Sequence, residues 1–84
     1  MSKPYTFHSD AGHGWMEVSL MELIKLGIAN QISSFSYKKG MNVYLEEDDD
    51  AAKFLNAKKK IGEEVEIVEV YKADSPIRSY QSYT

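Results

Sequence analysis

The chain has 84 residues, 43% of them apolar, with a net charge of −3 and no cysteine. That length suits one small domain with a modest core, and the missing cysteines exclude disulfides and thiolate metal sites and point to a reducing compartment. The mild acidity argues against a general nucleic-acid binder, and no apolar run nears the ~18 residues of a membrane span. With no apolar signal region at the N-terminus, the expected location is the cytoplasm.

Residues 1–4 read as a frayed N-terminus, residues 5–74 as the folded domain, and residues 75–84 as a C-terminal turn followed by a polar, aromatic tail. Residues 5–8 alternate aromatic and polar side chains, a weak strand signal. Residues 9–14 form a loop whose Gly12 and Gly14 permit positive φ or close approach of another group. Residues 15–18 suit a second strand, paired with the first as a hairpin. Ser19 and Glu22 have capping-box spacing and open a helix carrying Leu20, Leu23, Ile24 and Leu26, which Gly27 ends.

Residues 34–38 alternate cleanly, which predicts a strand with Phe35 and Tyr37 on one face. A turn at residues 39–41 leads into a return strand at residues 42–46 with Val43 and Leu45 inward. The acids at residues 47–50 favour the start of a second helix, capped by Asp48 or Asp49, running to Lys60 and ending at Gly62. Residues 64–71 predict a strand of imperfect period, which a bulge or burial on both faces would explain. Ser75-Pro76 then suits a capped final turn. The order (β)βαββαβ predicts an α+β domain with an antiparallel sheet and two helices on one face, matching a ferredoxin-like split βαβ arrangement.

Both histidines, the single tryptophan and two of the five glycines fall within residues 8–15. His8, Asp10 and His13 are therefore the candidate set for a metal, a small ligand or proton exchange, since two imidazoles and a carboxylate suit zinc. Their spacing matches no established ligand pattern. The plainer alternative makes Asp10 a turn-former bonded to its own loop, with one histidine packed on Trp15. Gly12-His13-Gly14 is a weak phosphate signal, because a strand intervenes before the helix. The acidic run Glu46, Glu47, Asp48, Asp49 and Asp50 lacks the glycine and distal glutamate of a calcium loop. It reads as capping and solvation, or as an acidic face for a basic partner. Lys58-Lys59-Lys60 reads as a solvated helix end. Tyr71, Arg78, Tyr80 and Tyr83 form an aromatic and basic set suited to an interface or to stacking on single-stranded bases; the plainer alternative folds Ile77 and Tyr80 over the sheet and pairs Arg78 with Asp74.

Three stretches, Phe7-His8-Ser9-Asp10-Ala11-Gly12-His13-Gly14-Trp15, Tyr44-Leu45-Glu46-Glu47-Asp48-Asp49-Asp50-Ala51 and Ser75-Pro76-Ile77-Arg78-Ser79-Tyr80, together resemble a group of small uncharacterised proteins encoded by bacteriophages and plasmids. The resemblance covers most of the chain, from Tyr5 to about Tyr80. It carries no established activity and implies no catalytic residue or cofactor. It implies an accessory protein of a mobile element that acts, like an inhibitor, by binding a host or defence protein. Glu46, Glu47, Asp48, Asp49, Tyr71, Arg78, Tyr80 and Tyr83 are then the expected contacts. A metal- or ligand-binding domain using His8, Asp10 and His13 is the alternative, and a single-stranded nucleic-acid binder ranks last. An exposed sheet edge would also allow a homodimer.

Overall fold

The structure is a computed structural model and describes residues 3–83. Six strands form one sheet: β1 (Lys3–Ser9), β2 (Gly14–Ser19), β3 (Tyr37–Lys39), β4 (Asn42–Glu46), β5 (Val65–Tyr71) and β6 (Gln81–Ser82). Two helices, α1 (Leu20–Lys25) and α2 (Asp50–Lys60), connect them, and short 3₁₀ turns occupy Ala29–Gln31 and Pro76–Ser79. The α+β class is as the sequence predicts. Of the residues expected to fray, Met1 and Ser2 lie outside the described residues, whereas Lys3 and Pro4 open β1.

The strand order is β5-β1-β2-β4-β3-β6, and the sheet is mixed rather than antiparallel. β4 lies between β2 and β3 and is antiparallel to both, which is a split βαβ unit. In a ferredoxin-like sheet the final strand would pair with β2. Here β1 takes that place as the hairpin partner of β2, so β5 pairs with β1 instead, in parallel. The extra strand at the start of the chain is thus the cause of the one parallel pair.

Alternation along the strands sorts side chains onto two faces. One face carries Tyr5, Met16, Val18, Val43 and Leu45, and packs against Leu23 of α1 and Ala51 and Phe54 of α2. Both helices therefore lie on one face. The opposite face carries Trp15 and Tyr44, covered by Ile77 from the final 3₁₀ turn and flanked by Tyr37 and Tyr80. Ile77 and Tyr80 form part of this second layer, whereas β6 pairs with β3 and Tyr83 is buried in the main core.

Ser19 caps α1 by accepting from the Glu22 amide, as its spacing predicts. Gly27 ends the helix at φ 75°, and the amides of Gly27 and Ile28 return to the carbonyls of Ile24 and Leu23, which satisfies those two. Ile24, expected inside, is exposed, because a six-residue helix presents too short a face to bury the whole arc. Lys58, expected in solvent, is 3% exposed. Its ammonium reaches Glu22 at 2.7 Å and also pairs with Glu63. Glu22 in turn accepts the Tyr5 hydroxyl at 2.5 Å. Burial opposes the Lys58 charge, but the carboxylates of Glu22 and Glu63 outweigh it and raise its pKa. Burial, then the Glu22 hydrogen bond, push the Tyr5 hydroxyl up to about 12.

Candidate functional site

The hairpin turn between β1 and β2 is built on Asp10. Its Oδ1 accepts the amides of Gly12 at 2.9 Å and His13 at 2.7 Å, and its own amide donates to the His13 carbonyl at 2.8 Å. This is the local turn-forming role that a short carboxylate supports. The same carboxylate also receives Arg78, with Nε on Oδ2 at 2.8 Å and Nη2 on Oδ1 at 3.2 Å. Arg78 belongs to the final 3₁₀ turn, so its two-point grip ties the far end of the chain to the hairpin. The Arg78 guanidinium, followed by the Gly12 amide, lowers the Asp10 carboxyl to about 2. Arg78 therefore pairs with Asp10 and not, as sequence proximity suggested, with Asp74.

His13 lies beside this pair, its Nδ1 2.7 Å from Arg78 Nη2, and stacks on Trp15 at 6.0 Å with planes 16° apart. The Arg78 guanidinium sits 6.0 Å from the Trp15 ring centre. Gly14 has an ordinary φ, and close approach is what requires it. A Cβ there would lie 2.4 Å from Phe7 Cζ and 3.0 Å from Glu47 Oε2.

These contacts frame a cleft of about 320 Å³ lined by His13, Gly14, Trp15, Phe35, Tyr37, Glu46, Glu47, Asp48 and Arg78. Half-buried Tyr37 meets Trp15 edge-on at 6.2 Å, and Trp15, 3% exposed, backs the cleft from beneath. Phe35, predicted to lie within a strand, instead sits at the rim and is 75% exposed, because β3 begins only at Tyr37. Three carboxylates face one guanidinium that is already matched by Asp10, so the cleft carries a net negative field. A larger hollow of about 620 Å³ between the helix ends, lined by Lys25, Leu26, Lys53, Lys60 and Ile61 among others, gathers neither aromatic rings nor carboxylates.

The turn bearing Phe35 is held from below by Asp50. This carboxylate is fully buried and accepts from the Ser33 amide at 3.1 and 3.0 Å, the Ser33 hydroxyl at 2.7 Å and the Ser36 hydroxyl at 2.5 Å. Ser36 Oγ accepts the Glu46 amide at 2.9 Å, and Ser33 Oγ accepts the Phe35 amide at 3.2 Å. Burial raises the Asp50 pKa, but the hydrogen bonds from Ser36 and Ser33 outweigh it and hold the carboxyl below its ordinary range. Asp49 stands at the N-cap position of α2, as expected, but its side chain makes no capping hydrogen bond. Glu46 Oε1 takes the Asp49 amide at 2.9 Å and reaches that of Asp50 at 3.5 Å.

The three residues proposed as a metal set do not converge. Asp10 and His13 meet through Arg78, whereas His8, although on the same sheet face as Trp15, turns away from them, with Nε2 2.7 Å from Glu17 Oε1 and its ring 5.7 Å from Tyr44. Among the described residues no group of three or more histidines and carboxylates is placed to hold a metal ion, the acidic run included. Of the expected contact residues, Glu46 and Arg78 line the cleft together with Glu47 and Asp48, while Asp49 is exposed outside it and bridges Lys53 at 3.3 Å. Tyr80 packs on Tyr44 at 5.2 Å and carries the Lys39 ammonium 4.9 Å from its ring centre. Tyr83 is buried, its hydroxyl donating to the Ala29 carbonyl, so it is a core residue. Tyr71 is exposed at the sheet edge formed by β5, away from the cleft.

Trp15, Phe35 and Tyr37 are the participants that the sequence did not single out as site residues, and Asp50 was read only as one member of the acidic run. A lone tryptophan beside a glycine loop was a signal for the first. Nothing local marks Asp50, whose partners lie 14 and 17 positions earlier. Comparison with known protein families, curated proteins and solved structures returns no match.

Proposed function

We propose that this chain is a non-enzymatic binding protein whose acid-rimmed aromatic cleft receives a basic side chain of a protein partner. The observation that carries the proposal is the meeting of Trp15, Tyr37 and exposed Phe35 with Glu46, Glu47 and Asp48 around one cleft. Aromatic faces attract cations, and nearby carboxylates strengthen that attraction and orient the encounter. Arginine is the ligand side chain best matched to such a site, since its flat guanidinium stacks on rings and bonds carboxylates. The polar groups of the hairpin turn are committed to one another, Asp10 to two amides and Arg78, which suits a rigid docking surface better than proton transfer. Read with the resemblance to phage and plasmid proteins, the partner is a host or defence protein presenting a basic surface, and the setting is the cytoplasm. Nucleic acid is the poorer ligand: the cleft is acidic, and Tyr44, a candidate stacking ring, is buried under Ile77 and Tyr80.

The test is affinity capture from host lysate, with nuclease present, comparing the native chain with Glu47→Lys/Asp48→Lys. The proposal predicts one protein held by the native chain and released from the variant. Equal capture by both, or capture abolished by nuclease, would refute it.

A further inference from the structure

We propose that the chain pairs with a second copy of itself through β5, edge to edge and antiparallel, joining two six-stranded sheets into one. The two edges of the sheet are unlike. At one end β6 has two residues, a short edge of the kind that resists pairing. At the other end β5 has seven residues paired with β1 in unbroken parallel register, with no bulge, proline or lysine within the strand. Its outer edge has no partner among the described residues. Ile67, Val68, Val70 and Tyr71 are all exposed on it, so apolar side chains stand in solvent on both faces of the strand. Edge pairing leaves both faces open but lets these side chains pack laterally on their cross-strand counterparts and pairs the backbone groups along a long, flat outer edge.

Charge selects the register. With Val68 opposite Val68 on a two-fold axis, Glu64 faces Lys72 at both ends, and Val65 faces Tyr71. Each Lys72 then also has Glu66 of the other copy as its diagonal neighbour. Glu69 meets its own copy only diagonally, and in each chain Ser9 holds it by a hydrogen bond at 2.9 Å. Moving the axis to Glu69 sets that acid directly against itself and Glu64 against Asp74. Moving it to Ile67 leaves Lys72 directly opposite Gly62, with Lys60 and Glu64 of the other copy only as diagonal neighbours. The Val68-centred register alone opposes unlike charges directly and no like ones. It covers none of the residues that line the acidic cleft, so a pair would present two clefts.

Sedimentation velocity on the full chain over rising concentration tests this. The expected result is a 9.6 kDa species giving way to one of twice that mass. Lys72→Glu, at an exposed position, sets acid against Glu64 and Glu66 of the other copy and should weaken association roughly tenfold, from two like-charge contacts related by symmetry. Adding Glu64→Lys should recover part of that loss. Val68→Lys places two lysines on the axis and should leave only monomer, with circular dichroism confirming the fold; if that variant does not fold, Lys72→Glu carries the test. A native chain that stays at 9.6 kDa at every concentration overturns the proposal. So does a dimer unaffected by Lys72→Glu, because the charge register would then be irrelevant.

Discussion

At the scale of single residues, Asp10 decides the shape of the hairpin and Gly14 decides how closely β1 can approach it. Asp10 was legible as a turn-former, and a histidine against Trp15 was legible from their closeness in sequence. Arg78 was not, because it reaches Asp10 across 68 positions, and no spacing rule links the two ends of a chain. Gly14→Ala should destabilise the protein by about 1–3 kcal/mol, the usual effect of forcing a methyl into occupied space, here against the Phe7 ring. Urea unfolding measures this, and the midpoint should fall with an unchanged slope. Acid tests Asp10. Its carboxyl is lowered to about 2 in the folded chain, so its contribution is complete above about pH 4 and fades as pH falls toward 2. The fluorescence of Trp15, the only tryptophan, should report release of Arg78 within that window and should already be altered in Arg78→Ala at neutral pH.

At the scale of elements, two buried charges do what hydropathy patterns cannot announce. Asp50 reads as one more acid at a helix start, and Lys58 as one of three lysines at a helix end. Both positions face inward because the helix turns them toward the sheet, where Ser33 and Ser36 meet one and Glu22 meets the other. Asp50→Ala should cost about 2–4 kcal/mol, since it leaves several buried donors without an acceptor. Thermal unfolding measures that cost, and the same variant should weaken ligand binding by loosening the turn that carries Phe35. Because the folded pKa of Asp50 is depressed, its stabilisation is present above about pH 4 and is lost as pH falls through the lower folded value. Phe35→Ala separates binding from folding. Being 75% exposed, it should change stability by less than about 0.5 kcal/mol yet remove a rim contact worth about 1 kcal/mol or more. Calorimetric titration alongside a melt distinguishes the two effects. The alternation Ser-Phe-Ser-Tyr suggested that Phe35 lay in a strand; the Asp50 hydrogen bonds to Ser33 and Ser36 compete successfully for that segment and turn it outward.

At the scale of the whole molecule, the helices, the central hairpin and the α+β class were legible because each has local signals: a cap, a glycine stop, clean alternation. Strand order was not, since it depends on which strand β5 meets when it returns, and β1 had already occupied the edge of β2. The mixed parity of Val65, Ile67, Val68 and Val70 was visible, but its explanation was neither a bulge nor double burial. β5 is an edge strand exposed on both faces. The two-layer arrangement, helices on one face and the final 3₁₀ turn on the other, leaves the rim beside Trp15 as the place where aromatic and acidic groups from β2, β3, β4 and the two flanking turns meet.

That meeting is the centre of the account, and a fluorescence titration of Trp15 in the native chain tests it most directly. The ligands are a short arginine-containing peptide and the same peptide with glutamate in place of arginine. The account predicts a saturable change with the arginine peptide only, weakened by Phe35→Ala, abolished by Glu47→Lys/Asp48→Lys and reduced by salt. Equal responses to both peptides, or a response unchanged by either variant, would contradict it.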